Sequence, residues 1–514
     1  MSASTERKNR QAAREAGTDK KTLAQEKELK EQARNKRRWT LGTIAVVLVV
    51  AIVLLLNSSL VTKATAFTVG DKNFSTADVS YRYANQYYNF ANQYGSYASL
   101  FGLDTSNGIR GLDKQPCSMT MTENGTWKDY FMEAAKQEMV QATIFGKYAA
   151  DNGITLDEDD LATIDGAFEG LEEQAKNYGY GSGDKMLAAN YGDGVNQALI
   201  RKAYEESLLA NKAADALTDS FTYTEEELQE KYKSFNGEQD FFDYAYCYVS
   251  AETVETTGED GETSSAPTEE TLAAAKAKAE AVAETYKTAE GDDPAVRLNN
   301  AAAAEGQSSS KQTHVQGSGV PASEWMRDES RKAGDVTVEP NDNGCYVVVF
   351  LSRDDNNYKT ANVRHILVKA EADADGNYTD EAKEAAKAKA EEILAEYESG
   401  DKTEESFAAL AEQYSEDTGS NTNGGLYENV AKGQMVQEFN DFCFAGHKSG
   451  DTGIVYGESG SYAGYHVMYY VGEGEVYSLH LAEDALRADA VNAWIEEAEA
   501  ANPTKDGFGM KFVG

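Results

Sequence analysis

Ala274-Ala-Lys-Ala-Lys-Ala-Glu280 recurs letter for letter as Ala385-Ala-Lys-Ala-Lys-Ala-Glu391. Three further matches accompany it in the same order. Phe242-Asp-Tyr-Ala-Tyr-Cys-Tyr-Val249 corresponds to Ala361-Asn-Val-Arg-His-Ile-Leu-Val368 as a β-rich run. Lys332-Ala-Gly-Asp335 corresponds to Lys448-Ser-Gly-Asp451, and Gly344-Cys-Tyr-Val-Val-Val-Phe350 to Gly464-Tyr-His-Val-Met-Tyr-Tyr470. All four offsets fall between 111 and 120 residues, the signature of an internal repeat. Two tandem copies of one domain follow, placed at residues 239–360 and 361–475. Each reads strand, acidic loop, Ala/Lys/Glu-rich helix, short helices, strand, strand: an α+β unit in which helices cover an antiparallel sheet.

The copies differ where chemistry would sit. In the second, Val363, His365 and Leu367 share one face of the first strand by period-2 alternation, and His466 shares a face with Met468 on the last. If those strands are neighbours, two of the chain's five histidines converge. The first copy has Tyr246 and Tyr346 at the aligned positions. A lone mid-strand histidine is more often a core residue, but two that are both replaced in the sister copy point to a site kept in one copy and lost in the other. Cys247 and Cys345 flank those tyrosines and point to the opposite sheet face; they either pair or, as the better reading, stay buried free thiols.

Composition narrows the rest. The 514 residues carry 87 Asp plus Glu against 48 Lys plus Arg, a net charge of −39, which repels phosphate backbones and excludes nucleic acid as the partner. Four cysteines at 117, 247, 345 and 443 show neither a disulfide framework nor metal-ligand spacing. No metal or cofactor is called for. A hydrolase lacks its nucleophile, base and orienter set.

Residues 1–38 hold 12 Lys/Arg and six Asp/Glu, net +6, so everything after them carries −45. The uncharged run Trp39 to Leu56, continuing through Val61, has the length needed to cross about 30 Å of hydrocarbon. Lys36, Arg37 and Arg38 keep the basic tail cytoplasmic and Trp39 takes the interface. The reading is a single-pass anchor over 39–61 in the cell membrane, with the bulk of the chain outside. Cleavage near Ala66, after the small-x-small Ala64-Thr-Ala66, is the competing reading.

Residues 67–238 read as a mainly helical domain. Val69 to Phe74 is a hairpin turning at Gly70-Asp71, and Ser75 with Asp78 caps a helix rich in aromatics (Tyr81, Tyr83, Tyr87, Tyr88, Phe90, Tyr94). Helices are expected from about Thr126 to Asn152-Gly153, after Thr155 and its acidic run, and after Thr224-Glu-Glu-Glu227. The aromatic surplus is taken as core, with a client-binding groove as the alternative. The acidic Ser/Thr/Gly stretch 250–267 reads as a solvated loop. Residues 476–514 hold a helix from about 480 to 500 and the apolar end Met510-Lys-Phe-Val513.

Arg364-His-Ile-Leu-Val368, Ser406-Phe-Ala-Ala-Leu-Ala-Glu-Gln-Tyr-Ser415, Asn423-Gly-Gly425, Lys432-Gly-Gln-Met-Val436 leading to Phe439, and Gly464-Tyr-His-Val-Met468 together resemble the parvulin (PpiC-type) peptidyl-prolyl isomerase domain. The wider order of anchor, helical domain, parvulin copies and short C-terminal segment resembles the PrsA and SurA class of extracytoplasmic foldases. The resemblance implies an isomerase and chaperone for unfolded or partly folded exported chains containing X-Pro bonds, with a degenerate first copy. It implies that His365, His466 and Asp417 are the catalytic residues, the histidines as a buried hydrogen-bonded pair and Asp417 beside the substrate carbonyl, with a plain turn carboxylate as the other reading of Asp417, and that the C-terminal segment folds back on the helical domain through Trp494. Met435 and Phe439, four apart, would share a helical face as the proline cup if that segment is helical. The usual parvulin Asp-Leu-Gly and aromatic are replaced by Leu426-Tyr-Glu-Asn-Val430, so Leu426 or Tyr427 fills the apolar place. Glu371, Asp373 and Asp375 occupy the loop where phosphate-directed parvulins are basic, which disfavours phosphorylated substrates. A purely binding chaperone or scaffold on the same fold is the alternative function.

Overall fold

The computed structural model describes residues 3–15, 36–38, 40, 42–47, 49, 59–120, 124–257, 263–374, 376–460 and 462–513. They divide into two units, one running to Phe221 and resuming at Ala490, the other spanning Thr222–Asp489. Among the described residues no helix is long and apolar enough to cross a membrane. The expected anchor over 39–61 falls largely on residues outside that description, Trp39 and 51–58 included.

In the first unit β1 (Thr65–Val69) and β2 (Lys72–Ser75) form the hairpin, with Gly70 at φ +57° in its two-residue turn. The chain's end returns to it: Thr504–Asp506 pairs with the free edge of β1. Ser75 and Asp78 form a capping box on helix Thr76–Tyr94, and Thr126 with Asp129 does the same for Trp127–Asn152, which stops at Gly153 in the left-handed region. The acidic helix is Glu158–Gly166, capped by Asp157 and not Thr155, because the carboxylate nearer the first turn reaches the free N–H groups. Tyr81, Tyr83 and Tyr87 are buried in the core, while Phe90 and Tyr94 lie half-buried against it. Within helix Tyr477–Ala501, Trp494 stacks 5.1 Å from Phe145 and 5.5 Å from Tyr148.

The second unit shows the repeat as structure. The first copy comprises β3 (Phe241–Ser250), a hairpin of β4 (Thr253–Thr257) and β5 (Thr263–Pro267), helices Glu269–Tyr286 and Pro294–Ala304, β6 (Ser309–Gln316), helix Ser323–Arg327, β7 (Val336–Asn341) and β8 (Gly344–Asp354). The second comprises β9 (Lys359–Lys369), helices Asp380–Ser399 and Glu404–Tyr414, β10 (Leu426–Val430), helix Gln437–Cys443, β11 (Thr452–Ser459) and β12 (Tyr462–Val476). The sheet orders, β6-β3-β8-β7 and β10-β9-β12-β11, correspond strand for strand, all antiparallel. Each sheet thus has an edge strand, β6 or β10, beyond the three that the sequence pattern announces. The stretch 250–267 is likewise not a plain loop, since β4 and β5 pair outside the core.

The identical heptapeptide has a packing reason. Ala275 and Ala279 of one helix, and Ala386 and Ala390 of the other, are the buried positions, so each helix lies close on its sheet with lysines turned outward. The Lys-x-Gly-Asp turns match too: Asp335 accepts the Lys332 N–H at 2.9 Å and Asp451 accepts the Lys448 N–H at 2.8 Å. Cys247 and Cys345 lie under the first copy's helices as free buried thiols, and burial pushes the Cys345 thiol up to about 11. Helix Glu225–Ser234, expected in the helical domain, lies in the second unit. Its Tyr232 donates to buried Asp240 at 2.6 Å and accepts from Asn356 at 3.0 Å.

Candidate active site

β9 and β12 are neighbours, in a register that sets Met468 opposite His365 and His466 opposite Leu367. Equivalent pairs, Tyr246 with Val348 and Tyr248 with Tyr346, stand in the first copy. The two histidines therefore meet diagonally on one sheet face. Their Nδ1 atoms are 3.0 Å apart, and both side chains are sealed, at 3% and 4% exposure.

Asp417 arrives from the loop after helix Glu404–Tyr414. That loop is zipped onto β9 where β10 stops: Leu367 N–H donates to Ser415 Oγ at 3.1 Å, and Glu416 N–H to the Leu367 carbonyl at 2.9 Å. The Asp417 carboxylate then meets His365 Nε2 at 2.9 Å, the Ser420 hydroxyl at 2.6 Å and the Tyr427 hydroxyl at 3.0 Å. With His365 foremost among these partners, its pKa is held well below the usual carboxylate range. Burial, reinforced by the neighbouring His365, lowers His466 to about 3.

The contacts around His466 and Asp417 fit donation in one direction, toward the carboxylate. The Tyr462 hydroxyl donates to His466 Nε2 at 3.0 Å, His466 Nδ1–H donates to His365 Nδ1, and His365 Nε2–H donates to Asp417. Every donor points toward the carboxylate.

Gly424 and Gly425, at φ +70° and +72°, let the backbone turn into β10. The Gly425 carbonyl accepts the His365 N–H at 2.8 Å, and a side chain at 425 would collide with the His365 carbonyl. Arg364 fastens the same turn from the other sheet face, donating to the Asn423 and Gly424 carbonyls at 2.9 and 3.0 Å.

Phe439, 2% exposed, forms the apolar floor. Its ring stands edge-on to both imidazoles, 5.4 Å from His365 and 5.3 Å from His466. Met435 and Tyr427 pack half-buried against the same cluster. Met435 does not share a helical face with Phe439, because the helix begins at Gln437 behind Val436; the turn before it delivers Met435 instead. Of the two residues expected to fill the apolar place, Tyr427 enters the site, whereas Leu426 pairs with Arg364 and lies on the opposite face. Ser420, Tyr462 and Arg364 complete the network without having been assigned roles from sequence; only the Asp-x-x-Ser spacing of 417 and 420 hinted at one of them. Cys443 abuts the floor, where burial raises its thiol to about 12 and favours the protonated form.

Residues 347–469 match the family model described as the PPIC-type PPIASE domain. Nearly all of the second copy lies within that match. Over 138 residues, 26% of this chain, the sequence is 36% identical to foldase protein PrsA 3 of Bacillus cereus, and the match spans 39% of that relative's own length. It is 26% identical over 320 residues to chaperone SurA of Alkalilimnicola ehrlichii, covering 61% of this chain and 67% of that one. Among solved structures, PrsA from Bacillus subtilis aligns at 14% identity over 76% of this chain and 91% of its own, with a TM-score of 0.23. In sequence the chain is similar to PrsA and SurA foldases, and its converging polar groups lie within the PPIC-type match.

Proposed function

We propose that the protein is a membrane-anchored, extracytoplasmic prolyl isomerase and chaperone. One observation carries the catalytic half: a carboxylate hydrogen-bonded to His365, which in turn contacts His466, beside an apolar floor at Phe439.

Rotation about an X-Pro bond faces a barrier of roughly 18–20 kcal/mol, and each tenfold acceleration asks for about 1.4 kcal/mol. A few placed contacts therefore suffice. Phe439, Met435 and Tyr427 take the prolyl ring out of water. The planar amide carries negative charge on its oxygen through resonance, and twisting withdraws that charge. A fixed carboxylate at Asp417 thus disfavours the planar amide more than the twisted one, a difference between ground and transition states that speeds rotation without covalent chemistry. His365, His466, Ser420 and Tyr462 act as positioning residues.

The chaperone half is supported by the first unit, where a cavity of about 460 Å³ is lined by Tyr81, Phe168, Tyr178, Tyr191 and Tyr204. Aromatic walls of this kind suit apolar side chains of an unfolded chain. The first copy, with tyrosines in place of both histidines, is assigned a non-catalytic role. An uncleaved anchor over 39–61 is supported by Ala64–Ala66, which belong to the folded first unit: Ala66 is fully buried, and its carbonyl accepts the Gly507 N–H at 2.8 Å.

Exchange NMR of an unphosphorylated Ala-Pro peptide with the full-length protein tests the proposal. Acceleration that falls about ten- to hundredfold in Asp417→Asn and Phe439→Leu is expected. A folded wild type that accelerates nothing, yet suppresses client aggregation, would leave a binding chaperone on a parvulin scaffold.

A further inference from the structure

Edge strand β6 carries a bulge. Phe242 pairs with Val315 and Tyr244 with Gln312, so Thr313 and His314 together oppose Asp243. His314 sits at φ +53°, a backbone state that non-glycine residues rarely adopt, with its N–H held by the Asp243 carboxylate at 2.8 Å. Its ring lies flat on Phe241, centroids 3.9 Å apart and planes within 2°. Bulges beside functional sites re-aim a side chain, and this one turns the His314 Nε2–H toward the second copy. There it donates to the Lys432 carbonyl at 3.0 Å.

Lys432 opens the turn that delivers Met435 to the isomerase floor, and residues outside the second sheet hold it at two more points. Its N–H donates to the Tyr358 hydroxyl at 3.0 Å, and its ammonium lies 3.8 Å over the Tyr358 ring and 3.2 Å from the Asp354 carboxylate. Gly433, at φ +78°, is where a Cβ would stand 2.6 Å from His314 Nε2, so the contact is as close as glycine allows. Inside the second copy the same turn is tied to the floor helix, since Asn440 donates to the Ala431 carbonyl at 3.1 Å and Gln434 accepts the Ala431 N–H at 2.8 Å.

The geometry points to a task for the silent first copy: through His314 and Asp354 it positions the 431–436 turn, and with it Met435, at the mouth of the parvulin site. His314 is then a positioning residue for substrate binding in the sister domain, on the reading that this domain is an isomerase. Loosening the turn weakens the hold on the prolyl ring in ground and transition states alike, so KM rises while kcat stays.

The test uses the full-length protein with His314→Ala, Asp354→Asn and the donor-retaining His314→Gln. Two readouts are taken: steady-state isomerisation of an Ala-Pro tetrapeptide and amide hydrogen exchange across 431–436. His314→Ala is expected to raise KM about fivefold, the worth of one hydrogen bond, with kcat unchanged within twofold, and to speed exchange in 431–436 alone. Asp354→Asn is expected to act in the same direction, and His314→Gln to restore most of both effects. Unchanged exchange in 431–436, or a fall in kcat with KM intact, overturns the inference. A wild type without activity sinks the isomerase reading by itself, and exchange in the turn then decides the docking of the two copies.

Discussion

Acidification should destabilise the parvulin domain through the buried His466 imidazole. In the folded domain His466 stays neutral down to about pH 3, against an ordinary value of 6.5. Between those values the unfolded chain binds a proton that the folded chain refuses, so stability falls as pH falls and is fully present only above about 6.5. At pH 4.5, two units below the unfolded value, the loss from this group is about 3 kcal/mol. Asp417, whose pKa is also depressed, shifts stability in the same direction but only from about pH 4 downward, below this window. Relief of repulsion among the many carboxylates changes the background, so the quantity to measure is a difference. Native-state amide exchange in β9 and β12, which reports the opening of this domain, would be followed from pH 8 to 4.5 in the wild type and in His466→Phe. The wild type should lose about 3 kcal/mol more than the variant over that range. Parallel curves, or a His466 ring proton that titrates near 6.5 by NMR, would refute the buried neutral imidazole and the donor direction built on it.

Three further outcomes are expected. Gly425→Ala forces a left-handed residue and a collision with the His365 carbonyl; it should cost about 1–3 kcal/mol from backbone strain alone, read as lost exchange protection in β9 and β10, and unchanged protection would mean the turn is not fixed as described. Installing histidines in the first copy by Tyr246→His with Tyr346→His should give no isomerisation in a background whose second site is disabled by Asp417→Asn, because strand β6 pairs along β3 as far as Cys247 where the second copy brings in the Asp417 loop; restored activity would contradict that. Trp494→Ala removes the ring packed on Phe145 and Tyr148 and should cost about 2–4 kcal/mol of first-unit stability, with 490–506 exchanging first; uniform protection there would show that the C-terminal segment is held by other contacts.

Structure is legible in the sequence where its determinant is local or repeated. The heptapeptide at 274–280 and 385–391 announces two copies because a helix lying on a sheet needs small residues four apart. The caps at Ser75, Thr126 and Thr224 are legible because hydroxyl and carboxylate three residues apart satisfy the free N–H groups of a helix start. His365 and His466 were identified by alternation along two strands plus the contrast with Tyr246 and Tyr346.

The rest lay beyond local patterns. Edge strand β6 is mostly polar over its eight residues and β10 spans only five; each takes its conformation from the neighbour it pairs with, so local composition marks neither. Met435 and Phe439 have helical spacing, yet the helix begins only at Gln437. The choice of Tyr427 over Leu426 is a matter of one residue of register, which sends alternate side chains to opposite faces. Ser420, Tyr462 and Arg364 joined the site through contacts across the fold. By itself the amino-acid sequence determined the repeat, the helix starts, the histidine pair and the family resemblance, all written in spacing along the chain. The joining of Asp417 to the histidine pair, the aromatic that enters the site and the reach of His314 into the sister copy come from the fold, because these depend on distances between residues that the backbone brings together from 50 to more than 100 positions apart.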